Sequence, residues 1–173
     1  MAKSWFKSAI EKIGYEGQYN YCYCTKSSHF SHVLNEALKN DIHLETSSAF
    51  DINIVEKLVD AGKIRKDQYI ICNGFKRSQY VENIARIINK GFRNTMPIID
   101  NYEEVSLLDQ QIEGAYKIGI RIASEEEPKF PFYTSRLGIG YKNIVNFYKE
   151  SLANNPKVEL KMLHFFINTG IKD

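Results

Sequence analysis

The chain has 173 residues and a formal net charge of +2, with 43% hydrophobic and 25% charged residues, which suits one domain of ordinary soluble composition. No run approaches the about 18 to 20 apolar residues of a membrane span, and the first residues lack the apolar core of a signal peptide. The 23 basic and 21 acidic residues alternate without forming a block, so we expect a cytoplasmic protein without a membrane or nucleic-acid partner.

Six short β-rich runs alternate with longer amphipathic segments along the chain. The runs are YNYCYCT (19–25), IHLET (42–46), QYIIC (68–72), TMPIID (95–100), YKIGIRIA (116–123) and VELKMLHFFI (158–167). Apolar residues recur at three- and four-residue intervals between them, which predicts helices over 31–40, 51–61, 79–90, 102–111 and 142–153. The strands start about every two dozen residues, which is typical of a βα repeat.

Strands that are separated by helix-length segments pair in parallel through right-handed crossovers, so the sequence predicts an α/β protein. An open, doubly wound flavodoxin-like sheet and a section of a (β/α)₈ barrel share this signature. Either architecture places functional residues on the loops that follow the carboxyl ends of the strands.

Polar and charged residues stand at those strand ends. Lys26 ends the first, aromatic strand, and a partly desolvated amine there would have the lowered pKa that a Schiff-base lysine requires. The common alternative is a surface cation. Glu45 and Asp51 enclose the turn Thr46-Ser47-Ser48, which could equally be a helix cap.

Further along the chain, Arg121 lies on the fifth run and His164 on the sixth, where a histidine could also be an ordinary core residue. Three cysteines form no disulfide framework, and the histidines show no metal-ligand spacing. Neither GxGxxG after a strand nor GxxxxGK[ST] is present, and there is no GxSxG. The residues alone therefore predict an α/β protein with a strand-end lysine and no metal site. Polar residues would line the carboxyl ends of its strands, which we call the mouth of the sheet.

Five strings in order carry a family resemblance: YCYCTKSSHF, ETSSAFD, IICNGFKR, GIRIASEEEPKFPFYTSRLGIGY and LHFFINTG. Together they resemble the fold-type III pyridoxal-phosphate decarboxylases, which act on ornithine, diaminopimelate or arginine, and especially the bacterial arginine decarboxylase-like group. The most specific element is the joint spacing of the lysine, the Glu-x-x-Ser turn and the RIA strand.

The resemblance implies a role for several positions of this chain. Lys26 would hold pyridoxal 5'-phosphate as a Schiff base, Glu45 and Asp51 would line the cofactor end of the barrel, and Arg121 would lie near the ring and its 3-oxygen. Thr169 and Gly170 would help to hold the phosphate. Phe166 stands where the family has a ring-stacking histidine, and His164, two residues earlier on the same strand face, could supply the polar part.

The implied activity is decarboxylation of a basic amino acid, most simply arginine to agmatine in polyamine biosynthesis. Diaminopimelate, ornithine and carboxynorspermidine are alternative substrates, and a cofactor-binding relative without catalysis is a further hypothesis. The resemblance also implies a homodimer in the full-length protein. The glycine-rich phosphate loop and the β-rich second domain of the family would follow residue 173.

The length has a second interpretation once the units are counted. A (β/α)₈ barrel usually takes about 250 residues, whereas the pattern holds five βα units and a sixth strand. We therefore expect residues 1–173 to be the first part of a barrel, inactive when isolated. The apolar edge LKMLHFFI would then favour association. An independent flavodoxin-sized binding module is the remaining hypothesis.

Overall fold

The computed structural model describes residues 2–123 and 137–165. Within these ranges the strands are β1 (Cys22–Cys24), β2 (His43–Thr46), β3 (Ile70–Cys72), β4 (Thr95–Ile99), β5 (Tyr116–Ala123), β6 (Ile139–Gly140) and β7 (Val158–His164). The helices are α1 (Ala2–Lys12), α2 (Ser31–Lys39), α3 (Ala49–Asp60), α4 (Ser78–Asn89), α5 (Glu103–Gln111) and α6 (Ile144–Phe147). A 3₁₀ turn over Tyr141–Asn143 precedes α6, and a π-helical turn over Tyr148–Leu152 follows it. None of the described helices is long and apolar enough to cross a membrane.

The spacing of apolar residues explains the helices. In α4, the residues at three- and four-residue intervals are buried, among them Tyr80, Ile84 and Ile88. Ser48 caps α3 by accepting a hydrogen bond from the Asp51 backbone N–H at 3.2 Å. Each helix predicted from the sequence is present, and the bounds of α2 to α5 shift by one or two residues.

All strands run parallel, and their order in the sheet follows their order in the chain from β1 to β5. Strand β7 pairs with β5 as well, from Tyr116 opposite Val158 to Arg121 opposite His164. A doubly wound sheet needs a reversal of strand order, so the flavodoxin-like alternative is wrong. Sequential parallel pairing is how a barrel is wound, and in the described ranges β1 and β7 do not close on each other.

Strand β6 was not predicted from the sequence. It consists of Ile139 and Gly140, which pair with Ile122 and Ala123 at the end of β5. Two residues are too few to show the alternation by which strands are recognised. The predicted sixth strand is therefore β7, and it ends at His164 in the described structure.

The two faces of the sheet bury different residues. The outer face packs Leu44, Ile70 and Ile118 against the helices in the larger core. The inner face carries Ile71, Met96 and Ile98 as a second cluster, with the partly buried Met162 beside them. Gly119 lies between them, and a Cβ there would come within 2.5 Å of Ile98 Cδ1 and 3.2 Å of Met162 Cβ.

Below this apolar layer the inner face opens into a cavity of about 460 Å³ at the amino ends of the strands. Its lining mixes apolar and polar side chains, including Tyr69, Lys117 and Lys161. The three cysteines are free thiols, with Cys72 buried and Cys22 and Cys24 half-buried. Burial raises the pKa of Cys22 to about 11, so this thiol stays protonated at neutral pH.

The outer face of β7 carries two exposed apolar side chains. Leu163 and Phe165 are 56% and 62% exposed, and no described helix covers them. Association through this strand, which the apolar run suggests, stays a prediction. An exposed apolar strand edge is the usual site of such pairing.

At the amino end of the sheet, His43 joins three segments. Its Nδ1 accepts a hydrogen bond from the Tyr69 backbone N–H at 3.0 Å, and its Nε2 lies 3.2 Å from Asn20 Oδ1. Because Nδ1 must accept, the ring is neutral with its proton on Nε2. Burial is the main cause that lowers the pKa of His43; two nearby carboxylates oppose it, and the cations Lys3 and Arg65 act in the same direction as burial.

We expect His43 to make the fold sensitive to mild acid. Its pKa is lower in the folded state than in the unfolded chain, so the unfolded chain binds a proton first as the pH falls below about 6.5. The contribution of neutral His43 to stability is therefore fully present above that pH and declines below it. Urea unfolding at pH 7.5 and pH 5.5 should show a smaller difference for His43→Gln than for the wild type. His32→Gln, a change at an exposed histidine, should leave the difference unaltered. An equal difference in His43→Gln and wild type would refute this role.

Candidate active site at the carboxyl ends of the strands

A ring of five polar side chains lies at the carboxyl end of the inner face. We call this set the polar ring; its members are Glu45, Asn73, Asp100, Arg121 and His164, from β2, β3, β4, β5 and β7 or the residue after each. An inward-facing apolar residue or glycine lies two positions before each of the last four members, as the alternation of a strand requires.

Asn73 connects one side of the polar ring. Its Nδ2 donates to Glu45 Oε1 at 3.2 Å and lies 3.3 Å from His164 Nε2. Its backbone carbonyl accepts from the Tyr80 hydroxyl at 3.1 Å, and that hydroxyl is 2.8 Å from Thr46 Oγ1. The buried Tyr80 therefore anchors the backbone from which Asn73 bridges β2 and β7.

Asp100 and Arg121 form the other side of the polar ring. Arg121 Nε lies 3.9 Å from Asp100 Oδ1, and the Asp100 side chain is 2% exposed. Neither carboxylate oxygen accepts a hydrogen bond from any described residue. Burial raises the pKa of Asp100, against the opposing effect of the cations Lys76 and Arg121.

A buried ion pair holds the backbone on both sides of the polar ring. Lys76, with its side chain fully buried, places Nζ 3.4 Å from Glu104 Oε2, and it donates to the Gly74 carbonyl at 2.8 Å and to the Ile98 carbonyl. Burial raises the pKa of Glu104, and the Lys76 ammonium acts in the opposite direction. Removing one partner of such a pair typically costs about 3 to 5 kcal/mol.

Both carboxylate oxygens of Glu104 accept hydrogen bonds from backbone N–H groups, one in the β3–α4 loop and one at the end of β4. Oε1 accepts from the Lys76 N–H at 3.0 Å and Oε2 from the Asp100 N–H at 2.9 Å. The β3–α4 loop and the end of β4 are therefore held to the first turn of α5. The positions of Asn73 and Asp100 depend on this attachment.

Gly74 allows the β3–α4 loop to pass close to its neighbour. Its φ is +80°, and a Cβ at this position would lie 2.6 Å from the Ser47 carbonyl oxygen. A side chain would be strained in both respects. The Gly74 N–H also donates to Asn73 Oδ1 at 2.9 Å, which fixes the orientation of the Asn73 amide.

Lys26 lies in the turn that follows β1, at the same end of the sheet. The backbone N–H and the hydroxyl of Thr25 both donate to the Glu45 carbonyl, at 2.9 and 3.0 Å. The start of this turn is therefore attached to β2. Lys26 itself is exposed, and no described residue pairs with its amine. Lys26 is therefore not desolvated by the described residues, in contrast to the expectation from the sequence.

Asp51 is occupied by the entry of α3. Its Oδ2 accepts from both the backbone N–H and the hydroxyl of Ser47, at 3.1 and 2.9 Å. The helix-cap alternative for this turn is thus observed, and a direct part in cofactor binding stays a prediction. Phe166, Thr169 and Gly170 lie outside the described residues, so their predicted roles stay predictions too.

The structure adds groups to the site that sequence reasoning did not assign, namely Asn73, Lys76, Asp100 and Glu104. Asn73 and Asp100 have a sequence signal, because each directly follows a buried run at a strand end. The pairing of Lys76 with Glu104 has no sequence signal, since the two residues lie 28 positions apart in separate βα units. Among the described residues, no group of three His, Cys, Asp or Glu side chains is placed to hold a metal ion.

The chain is similar to known proteins in sequence and in fold. No family model matches the chain. The biosynthetic arginine decarboxylase of Prochlorococcus marinus (strain MIT 9303) is 25% identical over 180 residues, which cover 97% of this chain and 27% of that protein. The chain therefore spans about a quarter of the length of this curated relative.

Solved structures give the same result for the fold. Diaminopimelate decarboxylase from M. jannaschii, in complex with L-lysine, superimposes with a TM-score of 0.70 at 16% identity, over 94% of this chain and 37% of that one. The crystal structure of the protein named SrLDC, in complex with pyridoxal phosphate (PLP) and cadaverine, superimposes with a TM-score of 0.62 at 16% identity, over 84% of this chain and 33% of that one. The resemblance to fold-type III decarboxylases is confirmed. The fold is a parallel α/β sheet wound as in a (β/α)₈ barrel and left open in the described ranges.

We expect Asp100 to lower the stability of the fold at neutral pH. Its raised pKa means that the ionised carboxylate disfavours the folded state, so Asp100→Asn should increase the free energy of unfolding by about 1 kcal/mol at pH 7.5. The advantage should shrink as the pH falls and the wild-type carboxyl takes up a proton. Urea unfolding at pH 7.5 and pH 5 would measure both effects.

Asp109→Asn is the matched control for this substitution. Both Asp109 oxygens accept hydrogen bonds, from the Tyr116 hydroxyl at 2.9 Å and from Asn155 Nδ2 at 2.6 Å. The same chemical change should therefore destabilise the protein at this position. A loss of stability in Asp100→Asn as large as in Asp109→Asn would contradict the interpretation of Asp100.

Proposed function

We propose that this chain is part of the barrel domain of a pyridoxal-phosphate-dependent decarboxylase of a basic amino acid, with arginine as the substrate. The observation that carries the proposal is the polar ring beside the Lys26 turn, at the carboxyl ends of the strands, in a chain whose similarity to a biosynthetic arginine decarboxylase extends over 97% of its length. In barrels of this kind, that end of the sheet is where active sites lie.

The residues present are compatible with this cofactor. An aldehyde requires an amine that no other group occupies, and Lys26 is exposed without a described partner. An anionic ring oxygen requires a nearby cation, which Arg121 supplies at the same mouth. Buried polar atoms of Asp100 and His164 without described hydrogen-bond partners also indicate a site that a polar ligand completes.

Pyridoxal phosphate, when bound, supplies an electron sink for the carbon–carbon bond that breaks. The contribution of this chain would be position and charge. Lys26 would hold the cofactor covalently, and Arg121 would hold positive charge near its ring, balanced by Asp100. Glu45 would face the cofactor end of the barrel, fixed there by Asn73. Phe166, Thr169 and Gly170 would complete the cofactor contacts, with Phe166 stacking on the ring.

Substrate choice is the finer part of the proposal. Arginine is favoured because the curated relative is named for it. Diaminopimelate, ornithine and carboxynorspermidine remain alternatives, since the structural neighbours include a diaminopimelate decarboxylase. A cofactor-binding relative without catalysis is the second candidate, suggested by phenylalanine at position 166. We further propose that residues 1–173 form the first part of the barrel domain of a longer, cytoplasmic, homodimeric protein that binds no nucleic acid.

Covalent labelling tests the cofactor site directly. We expect borohydride reduction of the complete gene product with pyridoxal phosphate to fix a pyridoxyl group on Lys26, identified by peptide mass spectrometry. Lys26→Arg, which keeps the charge but cannot form the bond, should lose the label and the visible absorbance. Lys63→Ala, at an exposed lysine that hydrogen-bonds Asn35, should keep both. Labelling elsewhere with Lys26 unmodified would overturn the proposal.

Product analysis tests the reaction. The same preparation, given arginine, should release CO₂ and agmatine, and the release should fall about a hundredfold or more in Lys26→Arg, because arginine at position 26 cannot form the covalent bond to the cofactor. Release from another amino acid alone would replace arginine as the substrate. Labelled Lys26 with no release from arginine, ornithine, lysine or diaminopimelate would favour the non-catalytic relative.

A further inference from the structure

The Asn73 amide has a single orientation that satisfies its neighbours. Its Oδ1 accepts from the Gly74 N–H at 2.9 Å, so the opposite atom must be the nitrogen. That nitrogen lies 3.2 Å from Glu45 Oε1 and 3.3 Å from His164 Nε2. A reversed amide would set a carbonyl oxygen against the Glu45 carboxylate and Nδ2 against the Gly74 N–H.

This orientation determines where His164 carries its proton. An amide nitrogen can only donate, so Nε2 of His164 must accept, and the neutral ring has its proton on Nδ1. Burial lowers the pKa of His164, and the charge of Arg121 acts in the same direction. Both effects favour the neutral ring at pH 7.

The Nδ1–H group is then a donor without an acceptor. The Nδ1 atom is buried, and no described residue pairs with it. An unsatisfied buried donor is costly, and this one belongs to the polar ring, next to Arg121 across the β5–β7 pair. A ligand oxygen would satisfy it.

We propose that Asn73 is a positioning residue that holds His164 in the Nδ1–H tautomer, so that Nδ1–H donates a hydrogen bond to an oxygen of the ligand bound at the mouth. The ligand, either the cofactor or the amino acid substrate, rests on the proposed function. The tautomer does not, because it follows from the contacts of Asn73 alone.

Asn73 also separates His164 from a carboxylate that would otherwise compete for its proton. Glu45 and Asp100 favour a second proton on the ring, whereas Arg121 and Lys76 disfavour it. With Asn73 between them, the Glu45 carboxylate is occupied by Nδ2. An acceptor at position 73 would instead draw a proton to Nε2.

His43 provides an internal comparison on the same sheet. Its Nδ1 accepts from the Tyr69 N–H, so its proton lies on Nε2. The two histidines should therefore show opposite tautomers in one sample. His29 and His32 are exposed and give reference signals.

The experiment is NMR of the complete gene product with ¹⁵N-labelled histidine, in which couplings to the ring protons identify the protonated nitrogen. His164→Gln assigns the signal. We expect Nδ1–H for His164 and Nε2–H for His43 in the wild type. Asn73→Asp, which can only accept at the former Nδ2 position, should place a proton on Nε2 of His164. Glu45→Gln keeps an oxygen for Nδ2 and should leave the tautomer unchanged.

The wild-type spectrum alone can refute the proposal, since Nε2–H at His164 would overturn it even if a variant failed to fold. An unprotonated Nε2 of His164 in folded Asn73→Asp would overturn the role of Asn73.

Additions to the wild-type sample identify the oxygen. A shift of the Nδ1–H signal with pyridoxal phosphate alone assigns it to the cofactor, and a shift only after arginine is added assigns it to the substrate carboxylate. No shift with either, in a protein labelled at Lys26, would overturn the donor role. Absence of Lys26 labelling with the expected tautomers would reject the proposed function and leave the role of Asn73 standing.

Discussion

The buried pair of Lys76 and Glu104 is the interaction on which the arrangement of the mouth depends. Two opposite charges taken out of water are stable only when their remaining hydrogen-bonding capacity is used. Here Lys76 uses it on the carbonyls of Gly74 and Ile98, and Glu104 on the backbone N–H groups of Lys76 and Asp100. Every bond that stabilises the pair therefore also fixes backbone at the end of β3 or β4. Asn73 and Asp100 extend from that backbone.

The hydrogen-bonding groups of the Lys76–Glu104 pair are satisfied, whereas several buried groups of the polar ring are not satisfied by described residues. Both Asp100 carboxylate oxygens and His164 Nδ1 are without a described hydrogen-bond partner, although all three atoms are buried. A fold selected for stability alone would place apolar or fully hydrogen-bonded groups there. The Lys76–Glu104 pair has its hydrogen-bonding groups satisfied, whereas the polar ring a few residues away has buried groups without described hydrogen bonds. This contrast favours a ligand site over a polar core.

The same sheet uses histidine in two ways. His43, at the amino ends of the strands, has both ring nitrogens engaged and joins β2 to the segments that precede β1 and β3. His164, at the carboxyl ends, has one nitrogen engaged by Asn73 and the other free of described partners. The residue type is identical, and the difference lies in whether the second nitrogen is used by the fold. The histidine at the amino ends of the strands is thus fully used by the fold, whereas the one at the carboxyl ends keeps a nitrogen that no described residue engages.

Local sequence patterns were enough to predict much of this molecule. Apolar periodicity predicted the helices other than α1, and six of the strands, because amphipathic spacing is a property of short segments. The positions of Lys26 and Glu45 followed from the ends of the first two predicted strands, and those of Arg121 and His164 from the fifth and sixth runs on which they lie. The resemblance to a decarboxylase family supplied the cofactor, which no local pattern indicated. The two residues of β6 were too few to leave a signal.

Tertiary structure decided the rest. Strand order separated a barrel from a doubly wound sheet, because both have the same alternation along the chain and differ only in which strands pair. The Asp51 carboxylate accepts hydrogen bonds from Ser47 at the start of α3, a contact that the sequence left as one of two alternatives. Lys76 and Glu104 could not be paired from sequence, since a contact between separate βα units depends on the crossover geometry. The orientation of Asn73 likewise arises only where three strands bring Glu45, Gly74 and His164 around one amide.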